Sequence, residues 1–379
     1  MLDKIYFKNF DGIRTLAFTV VFISHICLFN SYLLSNKYFL FLKSNILVNG
    51  YLGVNLFFTL SGFLITFFLL KEKQKTGEVN IKAFYLKRIL RIWPLYFITL
   101  LLGISICYLV THYHLYFPFR GCETEIEKIE YYFFFASNFA LIDQENIIPV
   151  IGVLWSISIE EQFYLIWPLI IWFIPDKHLL KIFFAIVLAS VIFRYYNYSN
   201  DKIIQYHTLS CMTYLTFGAI SAYYFFQESS IVSFIKNEFK KKKYFIYAFS
   251  IVFLISRKFL SSYIYDYSIY RFYSSVESVV ISFLFSFFIL DQAIVSGTSF
   301  QLKNYKWLTS IGKYTYGAYC YHMIAIFIIS GIFNFINIKE GFFVQFIMSF
   351  IIAYVFTLYL SKVSYEKIEK LFLEIKDKI

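Results

Sequence analysis

The residues able to do chemistry stand out because their neighbours are apolar. Asp11, Arg14 and His25 lie at the head of, and within, one hydrophobic run. On a helix, the eleven steps from Arg14 to His25 return to within about 20° of the same face. The rise sets His25 about 16 Å beyond Arg14, roughly halfway through a ~30 Å hydrocarbon core. A histidine there suits proton removal from a hydroxyl, and an arginine at the mouth suits forked hydrogen bonds to an anion. Ionisable groups at this depth are costly and usually mark a site. The structural alternative is a snorkelling arginine with a core histidine bonded to a carbonyl.

A second constellation is Leu-Trp-Ser-Ile-Ser-Ile-Glu-Glu-Gln-Phe-Tyr at 154–164, with Trp155, Ser156, Glu160 and Glu161. Glu160 sits about 14 Å from the outer boundary of its run, matching the depth of His25. A carboxylate beside the imidazole would fix its tautomer and stabilise the imidazolium. The two glutamates point 100° apart, so one is free to pair elsewhere. Arg88 and Arg91 share a helix face at spacing i, i+3; they read either as a phosphate site or as cytoplasmic anchors. Trp93-Pro94 reads as the opening of the next apolar run. His322 falls near the midplane by the same count, as does Ser61, whose Ser-Gly pair also suits close helix packing. His112 and His114 lack a third ligand, so no metal is expected. The P-loop, GxSxG and HExxH motifs do not occur.

These residues need elements to hold them. Hydrophobic residues make up 59% of the 379 and charged ones 16%, against about 25% charged in a soluble domain. Apolar runs near bilayer length recur along the whole chain. Ten are expected, at 13–32, 52–70, 92–110, 151–174, 179–195, 209–226, 244–260, 276–290, 314–336 and 342–360. The expected fold is therefore all-α and polytopic, a single transmembrane domain 1–379 with its core at about 8–360. With the N-terminus inside, the cytoplasmic segments hold 24 Lys+Arg and the outer loops ten, which makes both termini cytoplasmic. The net charge of +11 thus faces membrane lipids and not nucleic acid. The first run is expected to be retained, since no small-residue cleavage site follows it. Residues 361–379 read as a short cytoplasmic tail. The apolar stretch 129–142 is short for a span and suits a re-entrant or interfacial element. It lies in a long outer loop, 111–150, read as a lid or a connector. Four of the five cysteines, Cys27, Cys107, Cys122, Cys211 and Cys320, fall in apolar segments and read as core hydrophobes, not as a disulfide.

Five blocks, in order, resemble the acyltransferase-3 family of bacterial membrane acyltransferases. They are Phe10-Asp11-Gly12-Ile13-Arg14 with His25; 53–65, from Gly53 to Ile65; 85–94, from Tyr85 to Pro94; 155–164, from Trp155 to Tyr164; and Tyr316-Gly317-Ala318-Tyr319 with His322. The resemblance spans about 8–360. It implies a ten-helix bundle in the bacterial inner membrane that moves an acyl group, in the first place acetyl, from cytoplasmic acyl-CoA to a hydroxyl. The implied acceptor is a surface polysaccharide, lipopolysaccharide or lipid-linked saccharide. Family pattern assigns Arg14 and His25 to an arginine-x10-histidine pair and Arg88 and Arg91 to an arginine-x-x-arginine pair, which makes Arg14, Arg88 and Arg91 the acyl-CoA-binding set. Where many members carry Asp, this chain has Asn55. No permanently bound cofactor is implied. With about 19 residues after the last run, no appended hydrolase-like domain is expected.

His25 then stands as general base or as an acylated intermediate, with Glu160 or Glu161 orienting it, and Asp11, Ser61, Trp155, Ser156 and His322 as site-lining residues. The competing function is a glycan exporter or flippase using the same charges without covalent chemistry.

Overall fold

The computed structural model describes residues 5–28, 40, 47, 49–113, 128–143, 148–237, 243–294, 300–336 and 342–379. Among these, the chain is helical and forms no strand. The helices are α1 (Lys8–Leu28), α2 (Gly50–Thr76), α3 (Ile81–His112), α4 (Ile129–Phe133), α5 (Ser137–Asp143), α6 (Pro149–Gly152), α7 (Leu154–Phe173), α8 (Asp176–Asn197) and α9 (Asp201–Tyr206). There follow α10 (Thr208–Phe226), α11 (Ser230–Asn237), α12 (Lys243–Ser262), α13 (Tyr267–Ala293), α14 (Lys306–Gly312), α15 (Thr315–Ile336) and α16 (Phe342–Ser364). A π turn, Tyr365–Glu369, leads into α17 (Lys370–Lys376). Seven of the described helices are long and apolar enough to cross a membrane: α1, α2, α3, α8, α13, α15 and α16 with its continuation. The other three expected spans are also helices, α7, α10 and α12, of 20, 19 and 20 residues. The long outward-facing apolar side chains of α8 (Phe184, Leu188, Ile192) and α16 (Ile351, Val355, Tyr359) suit contact with lipid.

Two local readings of the sequence need correction. Pro94 does not open a helix. Asn80 does, its side chain accepting from Ala83 N, and Pro94 lies inside α3. A proline there removes one donor from the helix ladder, a loss that membrane helices tolerate when neighbours satisfy the backbone. Residues 361–376, within the segment read as a short cytoplasmic tail, are helical and continue α16 through the π turn. Cys107, taken as a core hydrophobe, is disulfide-bonded, whereas Cys27, Cys211 and Cys320 are buried free thiols; Cys122 lies outside the described residues. The apolar stretch 129–142 breaks into α4 and α5 because Phe135 adopts φ 52°, a conformation costly for a bulky side chain.

The described chain divides into two compact units. Unit 1 comprises 1–17, 52–79 and 165–313. Its centre is an aromatic cluster of Phe7, Phe10, Phe63, Phe67 and Phe225. Helices α2 and α10 meet backbone to backbone: a Cβ on Gly62 would sit 1.9 Å from Leu215 O, and one on Gly218 2.0 Å from Thr59 O. The Ser61-Gly62 pair therefore lies at a small-residue helix contact. Lys73 donates to Ile171 O and Ile174 O and pairs with Asp176 at 3.0 Å, placing a cation at the C-terminus of α7, where the helix dipole favours it.

Unit 2 comprises 18–51, 80–164 and 314–379. Helix α15 packs along α16, and α17 packs on α3. Phe18, Phe22, Phe350 and Tyr354 stack between α1 and α16. The α4–α5 segment is tied down by polar contacts: Tyr96 OH donates to Tyr132 O, Ser137 bonds Ser158, and Gln162 donates to Phe135 O and Asn138 Oδ1.

Candidate active site

Unit 2 collects most of the residues singled out by type and spacing. His25, near the C-terminal end of α1, lies with its Nδ1 2.7 Å from Nε2 of His322 on α15. The two rings stack at 5.0 Å between centroids. His322 is completely buried, and its Nδ1 lies 2.6 Å from Tyr319 O. A carbonyl only accepts, so His322 Nδ1 carries a proton. With both rings neutral, His322 Nε2 is then an acceptor, His25 Nδ1 is the donor, and the lone pair of His25 falls on Nε2. His25 itself is part-exposed. Phe18 and Phe22 pack against the His322 ring and fix its plane.

The expectation that Glu160 or Glu161 orients His25 is therefore corrected. Among the described residues the hydrogen-bond partner of His25 is His322. Glu161 accepts from Trp93 Nε1 at 2.9 Å and Glu160 from Tyr164 OH at 3.0 Å. The physical reason is that α7 and α15 are joined one turn away, by Ser156 Oγ to Tyr319 OH at 2.7 Å. That contact gives Ser156 a place in the histidine layer and leaves the glutamates about 6–8 Å further along α7. Trp155, next to it, is buried.

The glutamates instead belong to a second layer. Arg88 on α3 feels the charges of Arg91, Glu161 and Glu160, with its guanidinium near the Phe84 and Tyr164 rings at 5.6 and 5.9 Å. Arg91 is exposed and Arg88 half-buried. Tyr316, one turn before Tyr319 on α15, donates to Ile92 O at 2.7 Å and shares the field of Glu160, Glu161 and Glu369. Glu369, on the π turn, is 9% exposed and feels Arg91.

Glu369 has no place in the sequence reading, and Tyr319 stands there only within the Tyr316–Tyr319 block, without a role. Glu369 sits in the polar string Tyr365-Glu-Lys-Ile-Glu-Lys, which resembles a solvated tail. Tyr319 was one of several tyrosines in its helix. Asp11, Arg14 and Ser61 belong to unit 1. There Asp11 pairs with Arg14 at 2.8 Å, accepts from Tyr6 OH, and presses on Gly312, where a Cβ would lie 2.4 Å from Asp11 O. Asn55 is buried in the same unit, its carbonyl accepting from Thr59. Among the described residues no group of three His, Cys, Asp or Glu side chains could hold a metal.

Comparison with known proteins gives a consistent result. The family model for an acyltransferase domain matches residues 7–365. Peptidoglycan O-acetyltransferase OatA of Listeria monocytogenes is 29% identical over 193 residues, covering 49% of this chain and 28% of that protein. O-acetyltransferase OatA of Staphylococcus aureus is 28% identical over 201 residues, covering 50% of this chain and 30% of that protein. The chain thus aligns with less than a third of the length of these curated relatives. No solved structure matches.

Proposed function

Because the chain belongs to the acyltransferase family, we propose that it is a multi-pass membrane O-acetyltransferase that moves acetyl from a thioester donor, acetyl-CoA, to a hydroxyl of a cell-envelope glycan. The observation that carries this reading is the His25–His322–Tyr319 chain of hydrogen bonds. It presents the lone pair of Nε2 on a part-exposed ring, as the removal of a hydroxyl proton requires. The acceptor O–H proton passes to His25 Nε2, the oxygen attacks the thioester carbonyl carbon, the new C–O ester bond forms and the C–S bond breaks. The thiolate leaves and takes the proton from the imidazolium. Through the hydrogen bond at Nδ1, His322 holds the ring in the tautomer that accepts on Nε2. It plays the orienting part that a carboxylate plays in a hydrolase triad.

Donor and acceptor approach from opposite faces in this proposal. Arg88 and Arg91 bring positive charge to the cytoplasmic mouth, where CoA phosphates dock. The disulfide at Cys107 supports an outward position for the C-terminal end of α3, since disulfides persist on the oxidising side of a bacterial membrane. The proposal takes ten spans with both termini cytoplasmic, in the inner membrane; the basic loops support that orientation. Peptidoglycan is the first acceptor to test, because one relative is named for it; lipopolysaccharide and lipid-linked saccharides are the others. The test is acetyl transfer from radiolabelled acetyl-CoA to each acceptor by the purified chain in proteoliposomes. Label in an ester released by mild base supports the reading; release of label only as free acetate, with every acceptor, refutes it.

A further inference from the structure

Among the described residues, unit 2 has three buried side-chain polar atoms without a hydrogen-bond partner: Arg88 Nε, Glu161 Oε1 and Glu369 Oε1. They come from three elements, α3, α7 and the π turn, yet share one neighbourhood. Arg88 feels Glu161, Arg91 feels Glu369, and Tyr316 feels both glutamates. Buried polar atoms are rarely left unmade, and the same local field makes each orphan costly.

The chemistry of the set restricts what completes it. Two carboxylate oxygens want hydrogen-bond donors, and one guanidinium nitrogen wants an acceptor. A second anion would face Glu161 and Glu369, and a cation would face Arg88 and Arg91. A neutral group carrying N–H and C=O together meets both demands. An amide is such a group, and the pantetheine arm of a CoA thioester carries two in series.

The spacing agrees. Glu369 Oε1 lies 3.1 Å from where a Cβ on Gly317 would stand, and Gly317 precedes His322 on α15 by about 7.5 Å of helix rise. On the other side, Glu161 follows Ser156 by the same rise, and Ser156 bonds Tyr319 in the histidine layer. An extended pantetheine arm sets its two amide nitrogens roughly 5 and 10 Å from the thioester carbon at standard bond lengths, a range that brackets this rise.

We propose that Glu161, Glu369 and Arg88 form a subsite for the two amides of a pantetheine thioester, the carboxylates each accepting an N–H and Arg88 Nε donating to one carbonyl. The proposal rests on the donor chemistry given above and adds its recognition of the arm, as distinct from the nucleotide. The same arm is carried by CoA and by acyl carrier proteins, and the subsite reads what they share.

The experiment measures KM and kcat of the full chain in proteoliposomes with acetyl-CoA, with acetyl-pantetheine, which lacks the nucleotide, and with an acetylated carrier protein. Glu369→Ala should raise KM about tenfold for acetyl-CoA and acetyl-pantetheine by the same factor, with kcat within about twofold. Glu369→Gln, which keeps the volume and one acceptor oxygen, should fall between wild type and Ala, and is read alone if the Ala variant does not accumulate. A KM for acetyl-pantetheine unmoved by either Glu369 substitution overturns the subsite, as does an increase confined to acetyl-CoA. Turnover of the carrier-protein thioester at a comparable KM extends the subsite to that source; turnover of acetyl-CoA alone restricts it to CoA. If the wild-type chain transfers acetyl from none of the three, the functional reading itself has failed and the subsite with it.

Discussion

Both units bury charge, but they use it differently. In unit 1 the buried cations meet carboxylates or carbonyls through their terminal nitrogens, although Arg194 Nε is left without a partner. Arg257 pairs with Glu277 at 2.9 Å, Lys243 with Asp291 at 3.4 Å, and Arg194 donates to the carbonyls of Ile204, Ser210 and Ser274. These contacts tie α8, α9, α10, α12 and α13 to one another. In unit 2, Arg88 lies near two aromatic rings and feels two carboxylates without closing an ion pair among the described residues, and Glu161 and Glu369 each keep an oxygen unpartnered. A closed pair organises a fold; an open set of the same residue types is what a binding site keeps for its ligand. Counting charged residues in helices does not separate the two cases. Their pairing does.

The largest expected effect is chemical and belongs to unit 2. His25→Ala should lower acetyl transfer by about 10²–10⁴-fold, the range of a lost general base, at wild-type abundance in the membrane. His322→Leu should cut kcat with little change in donor KM, because it removes the acceptor for His25 Nδ1. His322→Gln, which can both accept from His25 and donate to Tyr319 O, should recover much of the loss. If Leu and Gln behave alike, His322 is packing and not positioning.

The next effect is on stability and belongs to unit 1. Glu277→Ala leaves the 2% exposed side chain of Arg257 without its counter-charge, at a cost of about 3–5 kcal/mol. Thermal unfolding in detergent should show it, while donor KM in the surviving folded fraction stays at the wild-type value. Glu161→Ala should reverse the pattern, with a smaller loss of stability and a larger rise in KM. Equal stability losses would erase the distinction between closed and open charge.

How much of this the sequence discloses follows the range of the interactions. Each of the ten expected apolar runs overlaps a described helix, seven of them long and apolar enough to cross a membrane, because hydrophobic runs act locally. His25 and Arg14 share a helix face by spacing alone. The partner of His25, however, is 297 residues away, and no periodicity couples α1 to α15. Depth alone favours a glutamate for that partner, but the Ser156–Tyr319 contact sets the register of α7 against α15 and carries Glu161 to Trp93. Glu369 was hidden for a different reason. Its burial comes from a π turn, a one-residue widening of the helix that hydropathy does not register. The disulfide at Cys107 needs a partner brought close by folding, so an apolar context misled.

At the donor mouth the expected effects are intermediate. Arg88→Ala should weaken binding of a non-hydrolysable acetyl-CoA analogue by about 1.5–3 kcal/mol, roughly 10- to 150-fold, as measured by calorimetric titration. Arg88→Lys should recover only part, since a point charge reproduces neither the forked donors nor a planar cation beside Phe84 and Tyr164. Full recovery by Lys would mean that only net charge matters there, which would place Arg88 with the cytoplasmic anchors.

The smallest effect tests how tightly the open set is held. A Cβ at Gly317 would stand 3.1 Å from Glu369 Oε1 and 3.4 Å from Ser361 Cα, so Gly317→Ala requires Glu369 to give by a few tenths of an ångström. Within a helix, alanine is favoured over glycine by about 1 kcal/mol, and this gain offsets the crowding. Stability should therefore change by less than about 1 kcal/mol in either direction. The carboxylate oxygen that moves is the one proposed to accept a pantetheine N–H, and a misplaced acceptor weakens a hydrogen bond steeply with geometry. Donor KM should rise about two- to threefold, equally for acetyl-CoA and acetyl-pantetheine, with kcat unchanged. A Gly317→Ala chain that is about 1 kcal/mol more stable at wild-type KM would show that Glu369 has room to yield, and that its position is not set for a ligand.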